Sequence, residues 1–190
     1  MKEIDTSSQD VKGHLRLPPD DLRRDLYRLF THFHGSDNLA ALANEDTGAF
    51  YARLQRQYEE LEIQSLLLSV AVRIRILDEA YDDTSREKWS LSVGKLFVDS
   101  ARKNPHISLT LREACNKIIH ARLVNFCRTD EAANDEVIFP LMPTVVIYGS
   151  RSRSTVIWRA ELEINVFVDA ALGVAEYVYD LRPQSRSNEK

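Results

Sequence analysis

Hydrophobic residues recur at helical spacing through the first half of the chain. Prolines and aspartates at 18–21 suit the first turn of a helix, because its amide groups are unbonded there and carboxylates favour its positive end. Apolar residues from Leu22 to Phe33 then give this helix one buried face, and the Gly-Ser-Asp-Asn segment at 35–38 predicts its end.

Two further helices are predicted before Pro105. The longer one spans about 46–81, and because apolar residues occur nearly all round its second half, we expect it to be central in a bundle. Its predicted buried stripe consists of Phe50, Leu54, Tyr58, Leu61, Leu68, Ala71 or Val72, and Leu77. The other helix follows Thr84 and Ser85 and is closed by Pro105. Its apolar face is formed by Trp89, Val93, Leu96, Phe97 and Ala101.

The pattern changes after Ala121. Segments 123–127, 144–148 and 155–161 are rich in β-branched and aromatic residues, and the Gly-Ser-Arg turn between the last two predicts a hairpin. Helical spacing returns over 163–181. The sequence therefore predicts a mainly α fold, a bundle of about five helices. A small antiparallel β-hairpin or sheet would be inserted near 122–161, before the C-terminal helix.

Length and composition indicate one ordinary globular domain. We expect a flexible arm at 1–17, a single domain at 18–182 and a polar tail at 183–190. The net charge of −4 argues against a protein that coats nucleic acid by bulk electrostatics. Two cysteines, no secretory signal and no apolar run longer than that at 66–72 predict a soluble cytoplasmic protein without membrane contact.

The segment 108–121 carries the most information about function. Thr110 followed by Glu113 is a capping box that starts a helix. Its predicted apolar face is formed by Leu111, Ala114, Cys115, Ile118 and Ile119. Arg112, Asn116 and His120 are four residues apart, so they share one side of this helix. One interpretation is a solvated helix face that ends in a histidine favoured by the helix dipole.

The other interpretation is a metal-independent site for RNA cleavage. Histidine exchanges protons near neutral pH, arginine holds phosphate, and Asn116 could orient the imidazole or a substrate hydroxyl. Arg112 and His120 are about 12 Å apart along the helix axis, which is too far for both to hold one phosphate. The catalytic hypothesis therefore needs a homodimer, in which one subunit's arginine meets the other's histidine, or a second arginine such as Arg73 or Arg75.

The segment Asn116-Lys117-Ile118-Ile119-His120 resembles the signature of HEPN (higher eukaryotes and prokaryotes nucleotide-binding) domains. That signature is an arginine, usually followed by a polar residue, and then a histidine, with four to six residues between the arginine and the histidine. Cys115 occupies the arginine position here, and Arg112 lies one turn earlier. The resemblance implies a helical bundle, frequent dimerisation, and a metal-independent endoribonuclease of a defence or toxin system, or a degenerate member that does not cleave.

Two arginine groups are further candidates. Arg151 and Arg153, with Arg159, could grip phosphates beside a stacking Tyr148 or Trp158, or could belong to a polar turn that protects a sheet edge. Arg73 and Arg75 interrupt the apolar helix. They are predicted to pair with Asp78, Glu79 or Asp82, and the alternative is a role in a site.

No metal or cofactor is predicted. His32 and His34 diverge on a helix, and no other histidine or cysteine has ligand spacing. The leading hypothesis is a homodimeric HEPN-like RNA-binding protein or endoribonuclease, with catalytic residues His120, Asn116 and Arg112 and nucleic-acid contacts from Arg151 and Arg153. The alternative is a non-catalytic helical adaptor or antitoxin-like protein that binds a protein partner.

Overall fold

A computed structural model describes residues 19–44, 49–80, 86–99, 106–129, 139–150 and 157–186. The predicted N-terminal arm lies outside these ranges. The helices are α1 (Pro19–Ala43), α2 (Ala49–Ala80), the single turn α3 (Arg86–Trp89), α4 (Leu111–Ile119) and α5 (Ile164–Arg186). The strands are β1 (Ser92–Phe97), β2 (Ile107–Thr110), β3 (Leu123–Arg128), β4 (Leu141–Ser150) and β5 (Ile157–Glu163).

The prediction of a mainly α bundle is wrong, because the described chain forms an α+β fold. Its five strands make one antiparallel sheet in the order β2-β1-β5-β4-β3. The three strands predicted between 122 and 161 are confirmed as β3, β4 and β5, and the last two pair as predicted. The sequence pattern underestimates the sheet because β1 and β2 occupy the region that it assigns to a third helix and the following loop.

A β-bulge explains why β1 resembles a helix in sequence. Ser92 pairs with Thr110 and Lys95 pairs with Ser108, so between these two pairs β1 contains one residue more than β2. The extra residue lets Val93 and Leu96 both face the core, although they are three positions apart. Spacing of three is typical of a helix, and here the bulge produces it in a strand.

Helices α1, α4 and α5 pack on one face of the sheet, and α2 packs on α1 and α4 rather than on the strands. Along β5, Trp158, Ala160 and Leu162 are buried in the core, whereas the alternate residues Arg159 and Glu161 point to the other face and are half-buried. One contiguous hydrophobic core joins the helices to this inner face. The opposite side, which we call the outer face, is not covered by any helix of the described ranges.

The first two helices form an antiparallel pair, and both differ from the prediction. Helix α1 continues through Gly35 to Ala43 instead of ending at 35–38. Helix α2 spans the expected length, but most of its predicted buried stripe is exposed. The exposed members are Phe50, Leu54, Tyr58, Leu61, Leu68 and Val72, and only Ala71 and Leu77 are buried. The side of α2 that packs on the core is formed instead by Ala52, Gln55, Glu59, Ile63, Leu66, Val70 and Ile74.

A buried ion pair ties the helical pair to the edge of the sheet. Arg128 of β3 lies 3.2 Å from Glu59 of α2, and its other terminal nitrogen donates to the carbonyl of Phe139. Glu59 also accepts a hydrogen bond from Gln55 at 3.0 Å. Ser36 of α1 donates to Glu59 and accepts from the Leu141 amide at the start of β4. These contacts satisfy a carboxylate that would otherwise be costly to bury.

Within the described ranges, no helix is both long and apolar enough to cross a bilayer.

Candidate functional site

Helix α4 begins as the sequence predicts. The Glu113 amide donates to the Thr110 hydroxyl at 3.3 Å, which confirms Thr110 as the N-cap. Leu111, Ala114, Cys115 and Ile118 are buried, as predicted. On the flank of the helix, the Lys117 ammonium lies 4.6 Å from the centre of the Trp158 ring and 2.9 Å from Glu113. This contact fixes α4 against the inner face of the sheet.

The three polar residues of α4 lie on its outward side but do not converge. Arg112 extends to α2, where its Nε lies 3.2 Å from the buried carboxylate of Asp78. Asn116 is half-buried, and His120 is the exposed C-cap of the helix. Asn116 reaches His120 only through the backbone, since its carbonyl accepts the His120 amide at 3.1 Å. The catalytic roles of these residues stay predictions.

The arginines considered as alternatives to Arg112 are held in ion pairs. Arg75 contacts Asp78 and lies 3.1 Å from Glu79, which confirms the predicted structural pairing. Arg73 turns to α1 instead, where it lies 3.6 Å from Asp25 and 3.8 Å from Asp21. Each guanidinium therefore already has carboxylate partners. Among the described residues, no contact directs either of them towards His120.

Cys115, at the arginine position of the HEPN-like signature, is fully buried. Burial raises the pKa of this thiol from 9.0 to about 12, against a weaker opposite effect of the Arg75 charge. The group is therefore a neutral thiol near pH 7, a small core residue rather than a nucleophile or a phosphate ligand.

His32 and His34, which the sequence predicts not to chelate a metal, both lie on α1. His34 contacts residues of α5 and α1. Its ring donates to the Asn165 side chain at 3.0 Å, which joins α1 to α5. The ring also stacks on Phe30, with the ring centres 4.1 Å apart. Among the residues that the structure describes, no group of three histidine, cysteine, aspartate or glutamate side chains could hold a metal ion.

The outer face of the sheet presents a second candidate site. Strand pairing aligns Phe97 with Arg159, Arg159 with Tyr148, and Tyr148 with Leu123. In antiparallel strands such partners lie on the same face, so these side chains form one row across four strands. We call Phe97, Arg159, Tyr148 and Leu123 the outer row. All four are half-buried or exposed.

Arg159 lies at the centre of the outer row. Its guanidinium carbon is 4.0 Å from the centre of the Phe97 ring, and a terminal nitrogen is 3.0 Å from Glu161. Its Nε has no hydrogen-bond partner among the described residues. The ring of His106 lies beside Phe97, with the ring centres 5.8 Å apart. Flat aromatic and guanidinium groups are therefore gathered on one open surface.

A polar cleft adjoins this row at the β1–β2 edge. The bulge places Ser92 and Lys95 on the same face, and the Ser108 hydroxyl donates to that of Ser92 at 2.7 Å. These residues, with His106 and Glu163, line a cleft of about 460 Å³. Gly94 also lines it, and a Cβ there would come within 2.0 Å of the Glu161 carbonyl oxygen, so no larger residue fits.

Sequence patterns miss most of the outer face. They indicate Tyr148 and Arg159, but assign Phe97 and Lys95 to a helix. Arg151 and Arg153, predicted to contact nucleic acid, lie outside the described residues, in the connection between β4 and β5. The ends of that connection, Ser150 and Ile157, pair with each other. The alternation of apolar and charged residues in β5 is a sequence signal for a half-covered sheet, whereas β4 has apolar residues on both faces.

Comparisons of the chain with protein-family models, curated proteins and solved structures give no match. Functional interpretation therefore depends on the geometry of α4 and of the outer face. Of these two, α4 holds its arginine in an ion pair. The outer face has aromatic, cationic and hydroxyl groups in one continuous open area.

Proposed function

We propose that this protein binds single-stranded RNA across the outer face of its sheet. The observation that supports the proposal best is the outer row, in which Arg159 stacks on Phe97 and lies next to Tyr148. Unstacked bases bind to such surfaces because every base has a flat face that packs on an aromatic ring or a guanidinium plane. The row crosses four adjacent strands, so it offers stacking positions in sequence rather than a single pocket.

The adjoining cleft suits a phosphate of the same strand. Lys95 and His106 can supply positive charge, and the Ser92 and Ser108 hydroxyls can donate hydrogen bonds. Contacts of this kind position the backbone without reading its sequence. Glu163 at the rim would repel a phosphate placed on its side, so we expect the phosphate to lie towards Lys95.

The charge of the protein fits binding by stacking more than by bulk electrostatics. The net charge is −4, and Arg159 is partly neutralised by Glu161 on the same face. We therefore expect moderate affinity with a shallow salt dependence. Arg151 and Arg153 belong to the same proposal, as further phosphate contacts from the connection between β4 and β5.

Metal-independent cleavage of the bound strand is a second candidate function. Its supporting observation is that exposed His120 precedes Leu123, the end of the outer row, by only three residues, which span at most about 11 Å. His120 would accept the proton of a ribose 2′-hydroxyl as that oxygen attacks the adjacent phosphorus to form a 2′,3′-cyclic phosphate. The P–O5′ bond would break, and the departing 5′-oxygen would take a proton from water. Asn116 would orient the ring. Since Arg112 is paired with Asp78, exposed Arg122 is a better placed cation.

A cytoplasmic location is part of the proposal, because the two cysteines of the sequence fit a reducing compartment better than a disulfide scaffold. So is a homodimer, whose interface is treated below. Membership of a defence or toxin system rests on the HEPN resemblance alone.

Fluorescence anisotropy with a labelled single-stranded RNA of mixed sequence tests the binding proposal. Arg159→Ala should weaken binding by about five- to 150-fold, since stacking contributes about 1–3 kcal/mol per base. Arg24→Ala is the matched control, because this exposed α1 arginine pairs with Asp21 one turn away and its removal changes the net charge equally. The RNA affinity of this control should equal that of the wild type.

The cleavage hypothesis has its own assay, in which the same RNA is incubated with the protein in a chelator. Cleavage that disappears in His120→Ala, with RNA binding retained, would support it. Absence of cleavage by the wild type would remove the enzyme but leave the binding proposal intact. Absence of RNA binding by the wild type would contradict both and favour the alternative, a non-catalytic adaptor for another protein.

A further inference from the structure

Helix α2 carries a long, mostly apolar stripe on its solvent side. Its positions are separated alternately by three and four residues, and we call it the α2 seam: Tyr51, Leu54, Tyr58, Leu61, Ser65, Leu68 and Val72. Its six apolar members are between 39% and 64% exposed. Six such side chains in one line exceed the scattered exposed apolar residues that are normal on a protein surface.

The seam lies opposite the side of α2 that packs on the protein's own core. At 100° per residue, its positions are centred roughly 160–180° from the direction of Ala52, Glu59 and Ile63, which are buried. The helix therefore has two opposite sides that are rich in apolar residues. A helix of this kind is normally buried on both sides, and the part of the chain that the structure describes buries only one.

The spacing of the seam indicates that its partner is another helix. Alternating steps of three and four average 3.5 residues, the repeat that keeps two helices in contact along a common line. From Tyr51 to Val72 the seam covers three heptads and about 32 Å at 1.5 Å per residue. A sheet surface or a compact ligand would not require this regular repeat over such a length.

The charge pattern along the seam favours a second copy of α2. Gln57 and Gln64, which flank the seam, are exposed and uncharged, and Glu62 on the other flank is already paired with Arg28 of α1. In an antiparallel two-fold pair of helices each flank meets the same flank of the other copy, so a charged flank would face its own sign. At Gln57, Gln64 and Glu62 a strongly acidic or basic partner would find no unpaired complementary charge. Arg53, one turn before Gln57, is an exposed cation whose guanidinium carbon lies 5.9 Å from the centre of the Phe50 ring. A copy of the seam, in contrast, meets apolar residues, the Ser65 hydroxyl and glutamine amides.

We propose that two copies of this chain associate through the α2 seam as a two-stranded helical interface. Ser65 is the polar residue within the seam, and polar residues at such positions select the register of paired helices. Its hydroxyl would be costly to bury without a partner, so it favours the register in which it reaches Ser65 or Gln64 of the other copy. This inference does not depend on RNA binding, because the seam belongs to the helical layer and the outer row belongs to the uncovered side of the sheet.

Light scattering coupled to size-exclusion chromatography tests the proposal on the full chain. The wild type should approach twice the single-chain mass of 21.8 kDa as its concentration rises from about 1 to about 100 µM, where interfaces of moderate strength assemble. Leu61→Glu should weaken association at least about tenfold, because an unpaired carboxylate would have to be desolvated in the interface. Leu68→Glu should have the same effect.

Tyr27→Glu is the matched control. Tyr27 is 69% exposed and lies on the side of α1 near Arg23, which contacts α5, and away from α2. This variant should dimerise like the wild type, and circular dichroism should show native helix content for all variants. A monomeric wild type over the whole range would overturn the proposal, whether the seam is covered by residues 1–18 or by another protein. Equal dissociation in Tyr27→Glu, or none in Leu61→Glu, would overturn it as well.

Discussion

The two halves of α2 distribute polar and apolar residues in different ways. In the C-terminal half, the core side is mostly hydrophobic and almost fully buried, as Leu66, Val70 and Ile74 show. In the N-terminal half, the core side includes Gln55 and Glu59, and the most hydrophobic residues point to solvent. The amphipathic pattern of a helix therefore shows where its apolar residues lie, but not which side its own chain covers.

The inverted half is stabilised by the partners of its buried carboxylate, whereas Gln55 Oε1 has no hydrogen-bond partner among the described residues. Glu59 faces Arg128 from the sheet edge and receives hydrogen bonds from Gln55 and Ser36. The same carboxylate without these partners would carry a desolvation cost of several kcal/mol. We therefore expect the N-terminal half to depend on its ion pair more than the C-terminal half does, although Asp78 of the C-terminal half is also buried and paired with Arg75 and Arg112.

Removing the ion-pair partner should have the largest effect. Arg128→Ala should lower the free energy of unfolding by about 4 kcal/mol, because it leaves Glu59 as an uncompensated buried charge. Urea denaturation measures this. Arg24→Ala removes an exposed pair instead and should cost less than about 1 kcal/mol.

A double variant distinguishes the pair from ordinary packing. Glu59→Leu combined with Arg128→Met removes both charges and keeps similar volume, so it should be more stable than Arg128→Ala alone. A double variant that is less stable, or a loss below about 1 kcal/mol in Arg128→Ala, would contradict the proposed dependence of the N-terminal half on this pair.

Local signals predict the elements whose stabilising contacts are near in sequence. The Thr110 cap, α4 and the three strands after it are correct, because capping and β-branched runs act over a few residues. Glu59 and Arg128 are 69 positions apart, and nothing in either local pattern predicts their contact. The same holds for the pairing of Arg112 with Asp78.

The candidate sites show the same limit. Helical spacing places Arg112, Asn116 and His120 correctly on the outward side of α4. It cannot place the outer row, because that row exists only through the register of four strands. One of these strands, β1, has a bulge that gives its buried residues the spacing of a helix. The sequence pattern therefore assigns Phe97 to a helix and does not place it beside Arg159 and Tyr148.

The packing of α4 against the C-terminal half of α2 should make the free energy of unfolding depend on pH. Cys115 of α4 is buried near Arg75 and Asp78 of α2, whose charges act on its thiol in opposite directions. Burial has the larger effect and raises the pKa of this thiol from 9.0 to about 12. Above pH 9 the unfolded chain loses this proton while the folded chain keeps it, so stability falls as the pH rises towards 12. From pH 9 to pH 10 the decrease attributable to this thiol should be about 1 kcal/mol.

Urea denaturation of the wild type and of Cys115→Ala at pH 8, 9 and 10 measures this contribution. The wild type should lose more stability than the variant above pH 9, and the two pH profiles should be parallel below it. Parallel profiles over the whole range would mean that the thiol is accessible to water.

The smallest expected effect separates the two sides of α2 most directly. At a concentration low enough to dissociate dimers, Leu61→Ala should change the free energy of unfolding by no more than about 0.5 kcal/mol, because the side chain is mostly exposed. Ile63→Ala, a similar truncation two residues further on, should cost about 3 kcal/mol because Ile63 is fully buried. At high concentration Leu61→Ala should lose apparent stability relative to the wild type, since dimerisation stabilises only the folded chain. Equal losses for the two variants at low concentration would place both residues in one core, and neither the inverted half of α2 nor the seam would then exist.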